Sequence, residues 1–159
     1  MAGLPQLIEE DVQTLDAALD DLLRRSEASA ALVIDKGGPL ISQRGDVKKF
    51  DTTTVSALAA GAFSATHMMA EHLGETNLAH IYQQGEHFSL LISNVDENLL
   101  LIIVFPADRS VGAVKYYAGG TVAKIAAQLQ KAALREPGTN LDLVSMNVLD
   151  VSGVFRKTS

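Results

Sequence analysis

The sequence predicts an α/β chain of the α+β sandwich type, with a five-stranded, mainly antiparallel sheet and helices on both faces. Three observations support this. The apolar pattern gives the element order α-β-β-α-β-β-β-α. Residues 99–105 (LLLIIVF) are apolar without alternation, which is typical of a central strand buried on both faces. The turn signals at residues 36–39 and 96–98 are short, so they join strands that lie side by side.

The first helix is predicted over residues 5–27, where apolar residues recur at helical spacing between acidic ones. Pro5 suits its first turn, and Arg24 and Arg25 suit its last. Residues 30–35 and 40–45 are predicted as two strands on either side of the turn Lys-Gly-Gly-Pro.

The second half is predicted as a helix, three strands and a helix. Asp51 and Gly74 are the expected caps of the second helix. The strands are expected at residues 77–83, 87–95 and 99–105, and Asp108 or Ser110 caps the third helix. Within that helix, the pair Gly119–Gly120 predicts a kink, an uneven end or close packing, because each glycine costs about 1 kcal/mol relative to alanine.

The length of 159 residues suits one domain, which we predict over residues 1–136. Residues 137–159 form a tail that is neither strongly polar nor periodic. Such a tail can add a strand, dock as a short helix or bind a partner.

Composition excludes several classes of function. The absence of cysteine rules out disulfides and thiolate metal sites. The N-terminus does not resemble a signal peptide, and no apolar run approaches the roughly 20 residues needed to span a bilayer, so we expect a cytoplasmic protein without membrane insertion. The net charge of −6 and the lack of a basic stripe argue against nucleic-acid binding.

The second helix, predicted over residues 51–74, has two apolar faces. Its larger apolar residues recur at three- and four-residue steps and are expected to face the core; they are Val55, Leu58, Ala59, Ala62, Phe63, Thr66, Met69 and Leu73. A second row of small residues predicts a smooth surface that another backbone can approach closely. With Met68 beside it, this row gives the candidate dimer- or partner-binding residues Ala57, Ala60, Gly61, Ser64, Ala65 and Met68. The alternative is tight packing of the small row inside the chain itself.

No motif for a cofactor, a metal or catalysis is evident. Neither the P-loop nor the Gly-x-Gly-x-x-Gly pattern occurs, and there is no Gly-x-Ser-x-Gly elbow. His67 and His72 are five residues apart, so they do not share a helix face as paired zinc ligands do. Arg44 and Arg109 are the best candidates for an arginine finger, although a structural role is the simpler explanation for each.

Several short segments resemble the roadblock/dynein light chain superfamily. They are residues 32–42 around the first turn, Asp51-Thr-Thr followed by residues 56–61, residues 73–75, Gln-Gly-Glu at 84–86, Val104–Phe105 and residues 110–114. Within the superfamily, the chain most resembles the bacterial MglB-type regulators of a small Ras-like GTPase, which act in cell polarity and gliding motility. The likeness extends from the first helix to about Leu134.

This resemblance implies a homodimer, or a higher assembly, in which the second helices pair and edge strands join the two sheets. It also implies that the paired helices bind one GTPase and speed GTP hydrolysis by repositioning the partner's switch residues, without an arginine finger. The tail departs from the acidic tail associated with the family. A scaffold or adaptor of the same fold, with no effect on hydrolysis, is the alternative, and a small-molecule or metal-dependent enzyme ranks last.

Overall fold

The computed structural model describes residues 3–135. The predicted element order is confirmed, and the predicted tail lies outside the described residues. The helices and strands are α1 (Glu9–Ser26), β1 (Ala30–Asp35), β2 (Leu40–Gly45), α2 (Thr52–His72), β3 (His80–Gln84), β4 (Phe88–Asn94), β5 (Leu99–Pro106) and α3 (Val111–Ala133).

Most boundaries agree with the sequence. However, α1 and β3 begin later than predicted, β3 at His80 rather than at residue 77, and one short helix was not predicted. Helix α1 begins at Glu9 rather than residue 5 because the Ile8 backbone N–H donates to the Asp11 carboxylate, 2.8 Å away, which ends the extended segment there. Pro5 therefore precedes the helix. A short 3-10 helix at Val47–Lys49, absent from the sequence prediction, links β2 to α2.

The five strands form one sheet in the order β2-β1-β5-β4-β3, and all neighbours are antiparallel. Strand β5 is central, as its unbroken apolar run predicts. In its register, Val33 of β1 lies opposite Leu101, and Leu91 of β4 lies opposite Ile103. Within the part of the chain that the structure describes, the edges of the sheet are therefore β2 and β3.

Helices cover both faces of the sheet, so the core has two parts. On one face α1 and α3 pack on the larger cluster, which includes Leu15, Leu19, Leu101, Ile103 and Phe105. On the other face, α2 is the one helix of residues 3–135 that packs on the sheet, over a smaller cluster of Leu32, Ile34, Ala59, Ala60, Phe63, Ile92, Leu100 and Ile102. One helix about 10 Å wide cannot cover five strands spaced about 4.8 Å apart, so this second face is partly open.

Asp51 and Gly74 begin and end α2 as the sequence predicts. The Asp51 carboxylate accepts hydrogen bonds from the Thr54 backbone N–H at 3.1 Å and from its hydroxyl at 2.7 Å. At the other end Gly74 has φ +85°, and its N–H donates to the Glu71 carbonyl while that of Glu75 donates to the Ala70 carbonyl. This is the Schellman pattern, in which glycine adopts the left-handed conformation at low cost.

The glycine pair of α3 does not pack closely within the chain. A Cβ built on Gly119 or Gly120 meets no atom of the described residues within 4 Å, and α3 runs continuously from Val111 to Ala133. Of the three expectations, close packing inside the chain is wrong, because both glycines lie on the exposed side of α3.

Candidate functional site

Helix α2 faces the sheet with a stripe that overlaps the predicted one only at Ala59 and Phe63. The buried residues are Ser56, Ala59, Ala60 and Phe63. Four residues predicted to face the core are exposed instead, namely Leu58, Ala62, Met69 and Leu73. Each turn of the helix carries apolar residues almost all round, so spacing alone does not distinguish the side that faces the sheet.

Five of the six candidate binding residues lie on the exposed side of α2. These are Ala57, Gly61, Ser64, Ala65 and Met68. The sixth, Ala60, is only 6% exposed and packs on the sheet. Its inclusion in an exposed row is therefore wrong, since it lies 100° around the helix from Gly61.

The exposed side of α2 forms one broad apolar surface, hereafter the α2 face. It combines large and small apolar side chains. Among the large ones, Leu58, Met69 and Leu73 are 67%, 60% and 83% exposed. The residues of the α2 face are Ala57, Leu58, Gly61, Ala62, Ala65, Met68, Met69 and Leu73. Leu58, Met69 and Leu73 were predicted to face the core and lie at the surface instead. A helix that is apolar on all sides is itself a signal that both of its sides become buried.

The small residues of the α2 face are not needed for packing within the chain. A Cβ added to Gly61 meets no atom of the described residues within 4 Å. An exposed glycine inside a helix costs about 1 kcal/mol relative to alanine, and no contact among residues 3–135 compensates for it. Tight internal packing therefore does not explain Gly61.

Charge is also absent from most of this helix. No Asp, Glu, Lys or Arg occurs between Thr52 and Ala70. Exposed apolar patches of this kind on a folded chain are typical of protein–protein contacts. The α2 face therefore has the character of an interface rather than of a solvated surface.

An apolar hollow adjoins α2 where the sheet is open. It has a volume of about 300 Å³ and lies between Val55 at the start of α2 and three residues of β4 and β5, namely Phe88, Leu90 and Val104. Phe88 is 53% exposed. The apolar surface thus continues from α2 onto the bare part of the sheet.

Strand β3 leaves a hydrogen-bonding edge beside this surface. The Asn94 N–H donates to the Ala79 carbonyl, and the register pairs Tyr82 with Leu91. Because bonded and non-bonded pairs alternate along antiparallel strands, the backbone N–H groups of His80, Tyr82 and Gln84 point away from β4. This edge can accept another strand.

The two arginines considered as fingers lie elsewhere. Arg44 is 3.3 Å from the Asp20 carboxylate and Arg109 is 3.2 Å from that of Glu27, so both pair with acids of α1 or its end. Neither belongs to the α2 side of the sheet. Among residues 3–135, no group of three or more His, Asp or Glu side chains is arranged to hold a metal ion.

A family model described as the Roadblock/LC7 domain matches residues 14–105, more than half of the chain. The chain belongs to the Roadblock/LC7 domain family. The matched residues run from α1 to β5 and contain the whole α2 face.

Solved structures agree with this assignment. Myxococcus xanthus MglB has a TM-score of 0.76 at 24% identity, covering 83% of this chain and 98% of that one. The gliding protein MglB from Thermus thermophilus has a TM-score of 0.73 at 25% identity, covering 82% and 99%. A Roadblock/LC7 domain from Streptomyces avermitilis has a TM-score of 0.66 at 17% identity, covering 72% and 97%. These likenesses establish a roadblock fold similar to that of MglB.

No curated protein sequence matches the chain. Within the described residues, no helix combines the length and the apolar character that crossing a membrane requires.

Proposed function

We propose that this roadblock protein is a homodimeric regulator that binds a small Ras-like GTPase and stimulates its GTP hydrolysis. The observation that carries the proposal is the α2 face, which is apolar, free of Asp, Glu, Lys and Arg from Thr52 to Ala70, and unused by the chain's own core. The fold similarity to MglB and the resemblance to MglB-type regulators support it.

Pairing of two chains accounts for three features at once. The small residues around Gly61 allow two helices to approach closely. The hollow beside Phe88 offers room for a partner's side chains. The free edge of β3 can pair with a strand of the second copy and so extend the sheet. We propose that α2 and β3 meet their counterparts in the second copy, with Ala57, Gly61, Ser64, Ala65 and Met68 in or beside the contact.

The regulator would supply no catalytic side chain of its own. The pairing of Arg44 and Arg109 with acids on the α1 side supports this part of the proposal. Acceleration would then come from holding the partner's own switch residues in a productive arrangement. The proposed setting is cell polarity or motility in the cytoplasm.

The direct experiment measures GTP hydrolysis by a cognate small Ras-like GTPase, with and without the protein. We expect faster hydrolysis and tighter binding to the GTP-loaded form. No acceleration together with equal binding to the GDP- and GTP-loaded forms would favour the scaffold alternative. No binding to either form would refute both.

The assembly is tested by Gly61→Leu, with Gly119→Leu as the matched control. Both glycines are exposed, helical and open at Cβ, so both variants should fold equally well. We expect Gly61→Leu to be monomeric in light scattering at a concentration where the wild type and Gly119→Leu are dimeric. Equal assembly of all three proteins would exclude α2 from the interface.

A further inference from the structure

A polar cavity of about 570 Å³ borders α2 on the side opposite the apolar hollow. Four separate segments meet there: the tip of the β1–β2 hairpin, the second half of α2, the loop after α2 and the β4–β5 turn. The residues that matter are Lys36, Phe63, His67, Asn94, Asp96 and Glu97. Ser64, beside the α2 face, also lines the cavity. A protein that covers the α2 face therefore lies next to the opening of the cavity.

Two hydrogen-bond acceptors in this cavity's lining are unsatisfied. Asn94 Oδ1 and His67 Nδ1 are buried and have no partner among the described residues. The other ring nitrogen of His67, Nε2, is 3.5 Å from the Glu71 carboxylate. A proton on Nε2 facing that carboxylate leaves Nδ1 as an acceptor. Buried polar atoms are nearly always paired, so these two acceptors are suited to an incoming donor.

The side chains that line the cavity carry more negative charges than positive ones. Asp96 and Glu97 contribute two carboxylates, whereas Lys36 contributes one ammonium. That ammonium is already occupied, because Nζ donates to the Asp96 carbonyl at 2.6 Å and lies 5.3 Å from the centre of the Phe63 ring. Burial lowers the pKa of Lys36, while the two carboxylates oppose this shift. The Asp96 carboxylate in turn accepts the backbone N–H groups of Asn98 and Leu99, both at 2.8 Å. The lining still carries two negative charges against one positive charge, together with the two unpaired acceptors.

We propose that this polar cavity binds an arginine side chain of the GTPase that docks on the paired α2 helices. A guanidinium carries five N–H donors and no acceptor, which matches a lining with unpaired acceptors and two carboxylates. Its planar, weakly hydrated cation also tolerates a partly buried, aromatic site better than an ammonium does. The inference rests on the proposed function only in assigning the arginine to a partner at this face.

The test titrates the full chain with N-acetyl-L-arginine-N-methylamide and follows the Asn94 side-chain amide by NMR. The neutral isostere N-acetyl-L-citrulline-N-methylamide is the matched probe. We expect saturable shifts at Asn94 with the arginine compound and none with the citrulline compound. Absence of saturation, or equal binding of both probes, would overturn the proposal, and neither result bears on whether the chain activates a GTPase.

Two variants locate the site. Glu97→Gln removes an exposed carboxylate at the cavity, and Glu86→Gln removes an exposed one on the β3–β4 turn. Glu97→Gln should weaken arginine binding at least fivefold, while Glu86→Gln should leave it unchanged. Equal affinities in the two variants would contradict binding in this cavity.

Discussion

Asp11 links the two helices α1 and α3 that cover one face of the sheet. Its fully buried carboxylate accepts hydrogen bonds from both terminal nitrogens of Arg135, at 2.8 and 2.9 Å, and from the Gln128 amide at 2.6 Å. The Ile8 backbone N–H donates to the same group. One side chain thus begins α1 and ties it to the end of α3. Breaking such a buried pair destabilises a protein because the remaining charge loses its partner.

Acid should therefore weaken the fold through Asp11. The hydrogen bond from Arg135, the other donors and the Arg135 charge lower the pKa of Asp11 from 3.8 to about 2, against the effect of burial. A lowered pKa stabilises the folded state above the unfolded value, and this contribution is lost as the pH falls from about 4 to 2. We expect Asp11→Asn to lose about 2 kcal/mol of unfolding free energy at pH 7, measured by urea denaturation.

The control is Asp20→Asn on the same helix. Asp20 is half-exposed and pairs with Arg44 at the surface, so its loss should cost under about 1 kcal/mol. Asp11→Asn should also flatten the pH dependence of stability between pH 4 and 2. An unchanged pH dependence in Asp11→Asn would contradict the role given to this carboxylate.

At the scale of elements, the sequence predicts strands better than it predicts the orientation of α2. The run at residues 99–105 identifies β5 as central because only a strand covered on both faces is apolar without alternation. In α2, Leu58 and Ala59 are consecutive and both apolar, yet only Ala59 faces the sheet. The polar cavity was not predictable, since Lys36, His67 and Asn94 are distant in sequence and meet only in the folded chain.

Variants of two phenylalanines on adjacent strands test the stability of the core and the assembly of the dimer separately. Phe105 is fully buried, whereas Phe88 is exposed beside the apolar hollow. We expect Phe105→Ala to lose about 3–5 kcal/mol of unfolding free energy. Phe88→Ala should lose under about 1 kcal/mol in the dissociated chain, because its ring is already half in water. Urea denaturation of both variants at low protein concentration makes the comparison.

Phe88→Ala should instead act on association. If the hollow receives a second copy, the dimer should dissociate at a higher protein concentration than the wild type does. A variant that is as stable and as dimeric as the wild type would remove the hollow from the proposed interface.

At the scale of the whole molecule, the two sheet edges differ in what surrounds them. Strand β2 carries Arg44, which pairs with acids of α1. Strand β3 lies beside the open part of the sheet and points the Tyr82 backbone N–H outward. An unpaired edge next to an apolar surface favours addition of another strand.

The edge is tested by Tyr82→Pro, with Tyr82→Ala as the matched control. Both variants lose the ring that stacks on Phe105 at 6.2 Å, but only proline removes the outward N–H. The β3–β4 ladder should survive in both, because that N–H does not point at β4. We expect sedimentation to give a weaker dimer for Tyr82→Pro than for Tyr82→Ala. Equal dimerisation would argue that the sheets do not join through β3.

The charge-free α2 face has a consequence for how ionic strength acts on this protein. Each chain carries a net charge of −6, so two copies repel each other at long range, whereas the α2 faces that would meet in the proposed dimer are neutral. Dissolved salt screens that repulsion over about 8 Å at physiological strength, and it leaves apolar contact intact. The same screening weakens the attraction of Asp96 and Glu97 for a guanidinium. We therefore expect salt to act on the two proposed contacts of α2 in opposite directions, strengthening the pairing of copies and weakening the binding of a partner's arginine.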